Sequence, residues 1–192
     1  MLRFCVATMK VCARRFNLFL LLAAALALSG GCKTEKQHEQ DKQDKVTGAL
    51  RVHIEVSADN AGDLSTSQTI SVLRSDPVQV TIAKDPILTE ANIIAARIIE
   101  SPGGFAIEIQ FDETGAWTLE QYSASYLGKH FVIFGQWGEK LVSGRWLAAP
   151  LITRRIGDGK LVFTPDASRD EAGQLVLGLN NVGKKNQKAL AK

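Results

Sequence analysis

"FAIEIQFDETGAWTLEQYSASYLGKHFVIFGQWGEKLVSGRWLA", residues 105–148, is the stretch that decides the fold. Its first seven residues put Phe105, Ile107, Ile109 and Phe111 on one side, with Glu108 and Gln110 between, the period-two pattern of a strand with one buried face. The alternation stops at Asp112. From there Ala116, Leu119, Tyr122, Ala124 and Tyr126 follow a helical spacing. Asp112 suits an N-cap and Gly128 a C-terminal stop, which predicts a helix over about 112–127. "KHFVIFGQW" and "KLVSGRWLA" around Gly138 then predict a pair of strands. A strand feeding a helix that feeds a hairpin points to an α+β fold.

Working outward gives more of the same. Upstream, "ALRVHIEVSA" (residues 49–58) alternates Leu50, Val52, Ile54 and Val56 against Arg51, His53 and Glu55, which predicts a strand with His53 on its exposed face. "TISVLRS" and "VQVTIA" read as two short strands joined at Asp76-Pro77. Thr89 suits a cap for a short helical turn through Ala95. "ARIIES" reads as a strand, followed by a hairpin at Pro102-Gly103-Gly104. Downstream, "PLITRRI", the Gly157-Asp158-Gly159 turn and "KLVFT" read as an edge hairpin. Pro165 or Asp166 opens a last helix over "DASRDEAGQLVLGLNN", with Ala172, Leu175, Val176 and Leu179 in one stripe. The strands near 105–111, 130–136 and 141–147 are expected in one antiparallel sheet, with both helices on the same face.

The N-terminal region carries a different message. Arg3, Lys10, Arg14 and Arg15 precede a 13-residue run, Phe16–Leu28, that is apolar apart from Asn17. A membrane span needs about 20 apolar residues, so this run reads as the core of a secretory signal over residues 1–31, started at Met1 or Met9. Ser29, Gly30 and Gly31 lead into Cys32. The stretch resembles a bacterial lipobox, with Ser29 in place of the usual leucine, and implies that Cys32 is acylated and becomes the first mature residue. Lys33 is not the aspartate that retains many lipoproteins in the inner membrane, which favours the outer membrane of a two-membrane cell.

With the signal set aside, the basic balance disappears. Removing its four cations from the 23 in the chain leaves 19 against 20 acidic residues, so no nucleic-acid partner is indicated. Cys5 and Cys12 fall in the signal, which leaves Cys32 alone and no disulfide within the mature protein. Residues 32–48 read as the lipidated cysteine and a charged tether, because a segment so polar cannot offset its ordering entropy by burial. His38 within it has nothing to fix a metal geometry. Residues 49–85 form an N-terminal β segment, 86–182 an α+β domain, and 183–192 a basic disordered tail.

The order of motifs in residues 86–182 resembles the periplasmic head (P1 head subdomain) of SecD, the protein-export subunit. Pro86, Leu88 and Thr89 match its entry motif. Phe111, Asp112, Gly115 and Ala116 match its strand-to-helix junction, and Gly128, Lys129, Ile133, Ser143, Pro150 and Ile152 its central hairpin. Phe163, Thr164, Glu171 and Ala172 match the start of its last helix. The resemblance implies a ferredoxin-like antiparallel sheet with two helices on one face, here with an N-terminal β-rich extension. It also implies contact with unfolded or exported polypeptides or envelope proteins. SecD itself carries six membrane helices and works with SecF. No apolar stretch after residue 32 is long enough to span a membrane, so proton-coupled work is not implied.

No catalytic constellation is legible. Asp112-Glu113 and Asp170-Glu171 sit at helix starts, where capping and the helix dipole account for them. His130 follows Lys129 in a predicted strand, a packing or surface position. No Cys/His cluster has metal spacing, and no glycine-rich loop suits a phosphate, so neither metal nor cofactor is expected. The expectation is a non-enzymatic, lipid-anchored, periplasm-facing module that binds protein or peptide through an exposed strand edge, with its binding surface unassigned. Trp117, Trp137, Trp146, Tyr122 and Phe134 are core or surface candidates. The alternative is a small-molecule or lipid-binding envelope domain, or a hydrolase without a familiar motif, which would show itself by a closed apolar pocket.

Overall fold

The computed structural model describes residues 43–57 and 66–190. The expected signal, Cys32, His38 and the expected tether up to residue 42 lie outside the described residues.

Among the described residues nine strands, β1 (Thr47–Ile54), β2 (Ser67–Val72), β3 (Val78–Ala83), β4 (Leu88–Thr89), β5 (Ile93–Ser101), β6 (Gly104–Phe111), β7 (Phe131–Gly138), β8 (Ser143–Ala148) and β9 (Lys160–Phe163), are joined by two α-helices, α1 (Glu113–Ser125) and α2 (Arg169–Leu190). The strands form three antiparallel ladders, ordered β4-β1-β7-β8, β2-β3 and β5-β6-β9. The fold is α+β, as the pattern around Asp112 requires. Its strands do not lie in the single ferredoxin-like sheet expected. The reason is saturation: β6 pairs with β5 on one edge and β9 on the other, which leaves β7 no edge of β6 to join. β1, expected in an N-terminal extension, instead lies between β4 and β7, with eight residues paired against β7.

One apolar core is shared by the two larger sheets and both helices. Leu50 and Val52 of β1, Ile107 and Ile109 of β6, Phe131 and Ile133 of β7, Leu119 of α1, and Leu175 and Leu179 of α2 are all fully buried within it. The β2-β3 hairpin covers the other face of the first sheet, packing Val72, Val80 and Ile82 on Val132. That cover corrects the reading of His53. It is 5% exposed, its Nδ1–H donates to the Ala83 carbonyl at 2.9 Å, and its ring meets Trp146 edge-on at 5.3 Å. Both faces of β1 are buried around His53, although Arg51 on the same face is exposed, so alternation alone could not place it.

Where β1 crosses α2, backbone meets backbone. A Cβ on Gly178 would lie 2.4 Å from Gly48 N, and one on Gly48 would lie 2.8 Å from Leu179 N. Only glycine permits this approach.

Three further segments differ from expectation. "PLITRRI" is not half of a hairpin with "KLVFT"; β9 pairs with β6, and the earlier segment follows β8. Residues 43–48, expected in the tether, are held to the domain: β1 begins at Thr47, and Asn181 Nδ2 donates to the Gln43 and Val46 carbonyls at 2.9 and 3.0 Å. The C-terminal tail is helical through Leu190, since Lys, Gln and Ala favour helix and Asn186 Nδ2 reaches the Glu90 and Ala91 carbonyls at 3.3 Å. That helix begins later than expected. Ser168 caps it, with Glu171 N donating to Ser168 Oγ and Ser168 N to Glu171 Oε2.

Candidate functional site

After β8 the chain continues as Ala149–Thr153 beside residues 128–131. Phe131 N donates to Pro150 O at 3.1 Å, Ile152 N to Lys129 O at 2.8 Å, and Gly128 N to Ile152 O at 2.9 Å. Pro150 and Ile152 therefore turn their backbone groups inward, and Leu151, one residue out of phase, turns its own outward. The same parity governs β9. Phe111 N donates to Gly159 O at 3.0 Å, and the register pairs Leu161 with Ile109 and Phe163 with Ile107. Lys160 and Val162 thus face away from β6; the Lys160 N–H is taken by Asp158 Oδ1 at 3.1 Å.

These two outward edges face each other. Asp166 N donates to Leu147 O at 2.7 Å, and extending that register antiparallel sets Thr164 opposite Ala149 and Val162 opposite Leu151. Neither further rung is made. Among the described residues, the N–H and C=O of Leu151 and Val162 have no hydrogen-bond partner. In place of the rungs the seam holds two openings. One, of about 380 Å³, is lined by Leu73, Val78, His130, Ala149, Phe163 and Thr164; the other, of about 240 Å³, by Phe131, Leu151, Ile152, Arg154, Leu161 and Val162. Pro150 borders both.

Side chains hold the seam shut at one end and apart at the other. At the shut end the Asp166 carboxylate accepts from Arg74 N at 2.8 Å and from Arg74 Nε at 3.1 Å, and its carbonyl accepts from Arg145 Nε at 3.1 Å. Arg145 also donates to Glu171 Oε2 at 2.5 Å and lies over the Trp137 ring. The Ser168 N–H foremost, with Arg145 adding to it, holds the Glu171 carboxyl below its usual range. At the open end α1 draws the loop away from β9, through Arg155 on Glu120 and Ile156 N on Ser123 Oγ at 2.9 Å. Leu73, at the rim, is held at φ 70°, a left-handed conformation that costs a leucine about 1–2 kcal/mol.

The residues weighed as possible catalysts go elsewhere. Asp112 caps α1, accepting from Gly115 N at 2.7 Å. Glu113 and Asp170 are first-turn acids. His130 Nδ1 is 2.6 Å from Glu55 Oε2, and Lys129 Nζ donates to Ser57 Oγ at 3.0 Å. A carboxylate on Nδ1 is also found in a hydrolase triad, but among the described residues no serine is hydrogen-bonded to the His130 imidazole, and Ser57 pairs with Lys129. Among the described residues no group of His, Cys, Asp and Glu could hold a metal. Trp137 is core, while Trp117 is 62% exposed on α1. The seam was missed because it is defined by bonds that fail to form between Leu151 and Val162, eleven residues apart. The alternation Leu151–Ile152–Thr153 and Leu161–Val162–Phe163 was its only trace in the sequence.

Residues 64–182, more than half of the chain, match the family model "SecDF, P1 head subdomain". The chain belongs to the SecDF P1 head family. The strand-to-helix junction at Asp112 and the seam both lie within the matched residues. Solved structures of SecDF are among those similar to this chain. One, described as a membrane component SecDF that enhances protein export, is 20% identical, with 79% of this chain and 70% of that chain covered and a TM-score of 0.48. SecDF in its super-membrane-facing form is 20% identical over 79% of this chain and 21% of that one, with a TM-score of 0.49. SecDF from Thermus thermophilus, described as translocon-associated, is 16% identical over 87% and 34%, with a TM-score of 0.38. This head thus spans about a fifth and a third of the last two chains. No curated protein matches it. Among the described residues no helix is long and apolar enough to cross a membrane.

Proposed function

We propose that this SecD-type head is a lipid-anchored, periplasm-facing module that holds extended segments of exported polypeptides or envelope proteins and carries out no reaction on them. The observation that carries the reading is the family match over residues 64–182, a subdomain of a protein-export component. The open seam supports it, since extended polypeptide is the ligand that unpaired strand edges take. The anchor rests on the sequence: Cys32 follows a signal core and small residues and precedes a polar tether. Acylation there places the head on the periplasmic side of the envelope, with Lys33 favouring the outer membrane. The openings at the seam are partly open to solvent, unlike the closed apolar pocket that a small metabolite calls for.

Crosslinking of the full chain in living cells, followed by mass spectrometry, tests the binding. Recovery of exported or envelope polypeptides is the expected result; recovery of none, with a single bound metabolite instead, overturns it. Cys32→Ser should move the protein from the membrane fraction to the soluble periplasm or stall it as precursor. Unchanged membrane association without lipid label would remove the anchor from the account.

A further inference from the structure

We propose that the seam between Ala149–Thr153 and Lys160–Thr164 is a strand-addition site, into which an extended polypeptide segment inserts so that its backbone bonds both edges at once. The inference rests on the polypeptide-holding reading and assigns that function a place.

The warrant is the hydrogen-bond parity of the two edges. Pro150 and Ile152 bond residues 128–131, and Leu161 and Phe163 face β6, so Leu151 and Val162 carry their N–H and C=O toward the gap between them. A backbone donor and acceptor on each side, at strand period, is what an added strand completes. A strand in the gap runs antiparallel to one edge and parallel to the other, because the edges are themselves antiparallel about the Asp166–Leu147 bond. The floor fits such a strand. Phe131, Ile152 and Leu161 are buried beneath it, whereas Leu151 and Val162 are 51% and 47% exposed at its sides. An occupant with an apolar residue at every second position packs against the exposed Leu151 and Val162 side chains and leaves its other side chains in water.

The alternative, that the head zips its own seam closed, requires the loop to leave α1. The Arg155–Glu120 pair and the Ile156–Ser123 bond oppose this.

The test uses the full chain in detergent with reduced, carboxymethylated α-lactalbumin as an unfolded probe. A photo-reactive phenylalanine analogue replaces Leu151 or Val162 in turn, and, as exposed controls, Trp117 or Val142. Strong crosslinks at 151 and 162 and weak ones at 117 and 142 are expected. Val162→Pro deletes an outward N–H and no β6 rung, so it should lower probe binding about fivefold to tenfold, the worth of one hydrogen bond, while Val162→Ala should not. Crosslinks at 117 or 142 equal to those at the seam would overturn the site and leave polypeptide holding intact. Crosslinks at no position would overturn both. Should Val162→Pro fail to fold, the crosslink pattern decides alone.

Discussion

Two sheet edges of this head are treated in opposite ways. The outer edge of β5 is sealed by α2 at Ala96: Asn180 Oδ1 accepts from Ala96 N at 2.8 Å and Asn180 Nδ2 donates to Ala96 O at 2.9 Å, so one side-chain amide stands in for a neighbouring strand there. Gly183 lets the helix backbone lie against the Ile93 and Ile94 carbonyls, where a Cβ would come within 3.0 and 2.8 Å. The seam beside β9 has no such seal. Unpaired edges invite unwanted association, and folded proteins generally cover them. An asparagine and a glycine close the β5 edge around Ala96, while the two facing edges of the seam are left open, and it is this open pair that the proposed strand addition uses.

The sealed side can be broken first. Gly178→Ala forces a Cβ into the β1 backbone at 2.4 Å, at the crossing that seats α2; neither partner is a flexible side chain that could yield. It should cost about 3 kcal/mol, the upper end for overpacking, read as a lowered midpoint in urea. Asn180→Ala is milder. It leaves the Ala96 N–H and C=O without partners and should cost about 2 kcal/mol. It should also give the head a second crosslinkable edge at β5. If Asn180→Ala changes neither stability nor crosslinking, the sealed edge was not sealed by Asn180.

The seam is sharpened by smaller changes. Asp166→Ala removes the carboxylate that fixes Arg74 but leaves its backbone bond to Leu147. Arg74 is largely exposed, so the loss should be about 1 kcal/mol or less, with faster amide exchange at Arg74. Acid should act through His53, which ties β1 to Ala83 of the hairpin. Burial, the leading cause, lowers its pKa below 6.5, against the raising effect of the Ala83 carbonyl. The folded state thus binds this proton less readily than the unfolded one. The contribution is complete above about pH 6.5 and falls as the pH drops below it. The melting temperature should decline on that side more steeply in the wild type than in His53→Gln. Equal slopes would remove His53 from the account.

The local elements were legible because their signals are local. Asp112 and Gly128 bracket α1, and the Asp76-Pro77 and Pro102-Gly103-Gly104 turns mark the hairpins they close. The start of α2 was equally legible, since Ser168-Arg169-Asp170-Glu171 is a capping box; the more conspicuous Pro165-Asp166 obscured it. The burial of His53 was not, because it depends on a hairpin that returns some thirty residues later. The division into three ladders follows from which strands occupy both edges of β6, a long-range competition that no period in the sequence records. The seam depends on that same competition, which takes β9 away from residues 150–153.

Amide hydrogen exchange resolved at Ala96, Leu151 and Val162 in the full chain tests the central claim most directly. Ala96 N–H, bonded to Asn180, should exchange slowly in the free protein, and the Leu151 and Val162 amides fast. Adding the unfolded probe should slow Leu151 and Val162 and leave Ala96 unchanged. Leu151 and Val162 amides already as protected as Ala96 in the free protein, or unaffected by the probe while it binds, would contradict an open, strand-accepting seam.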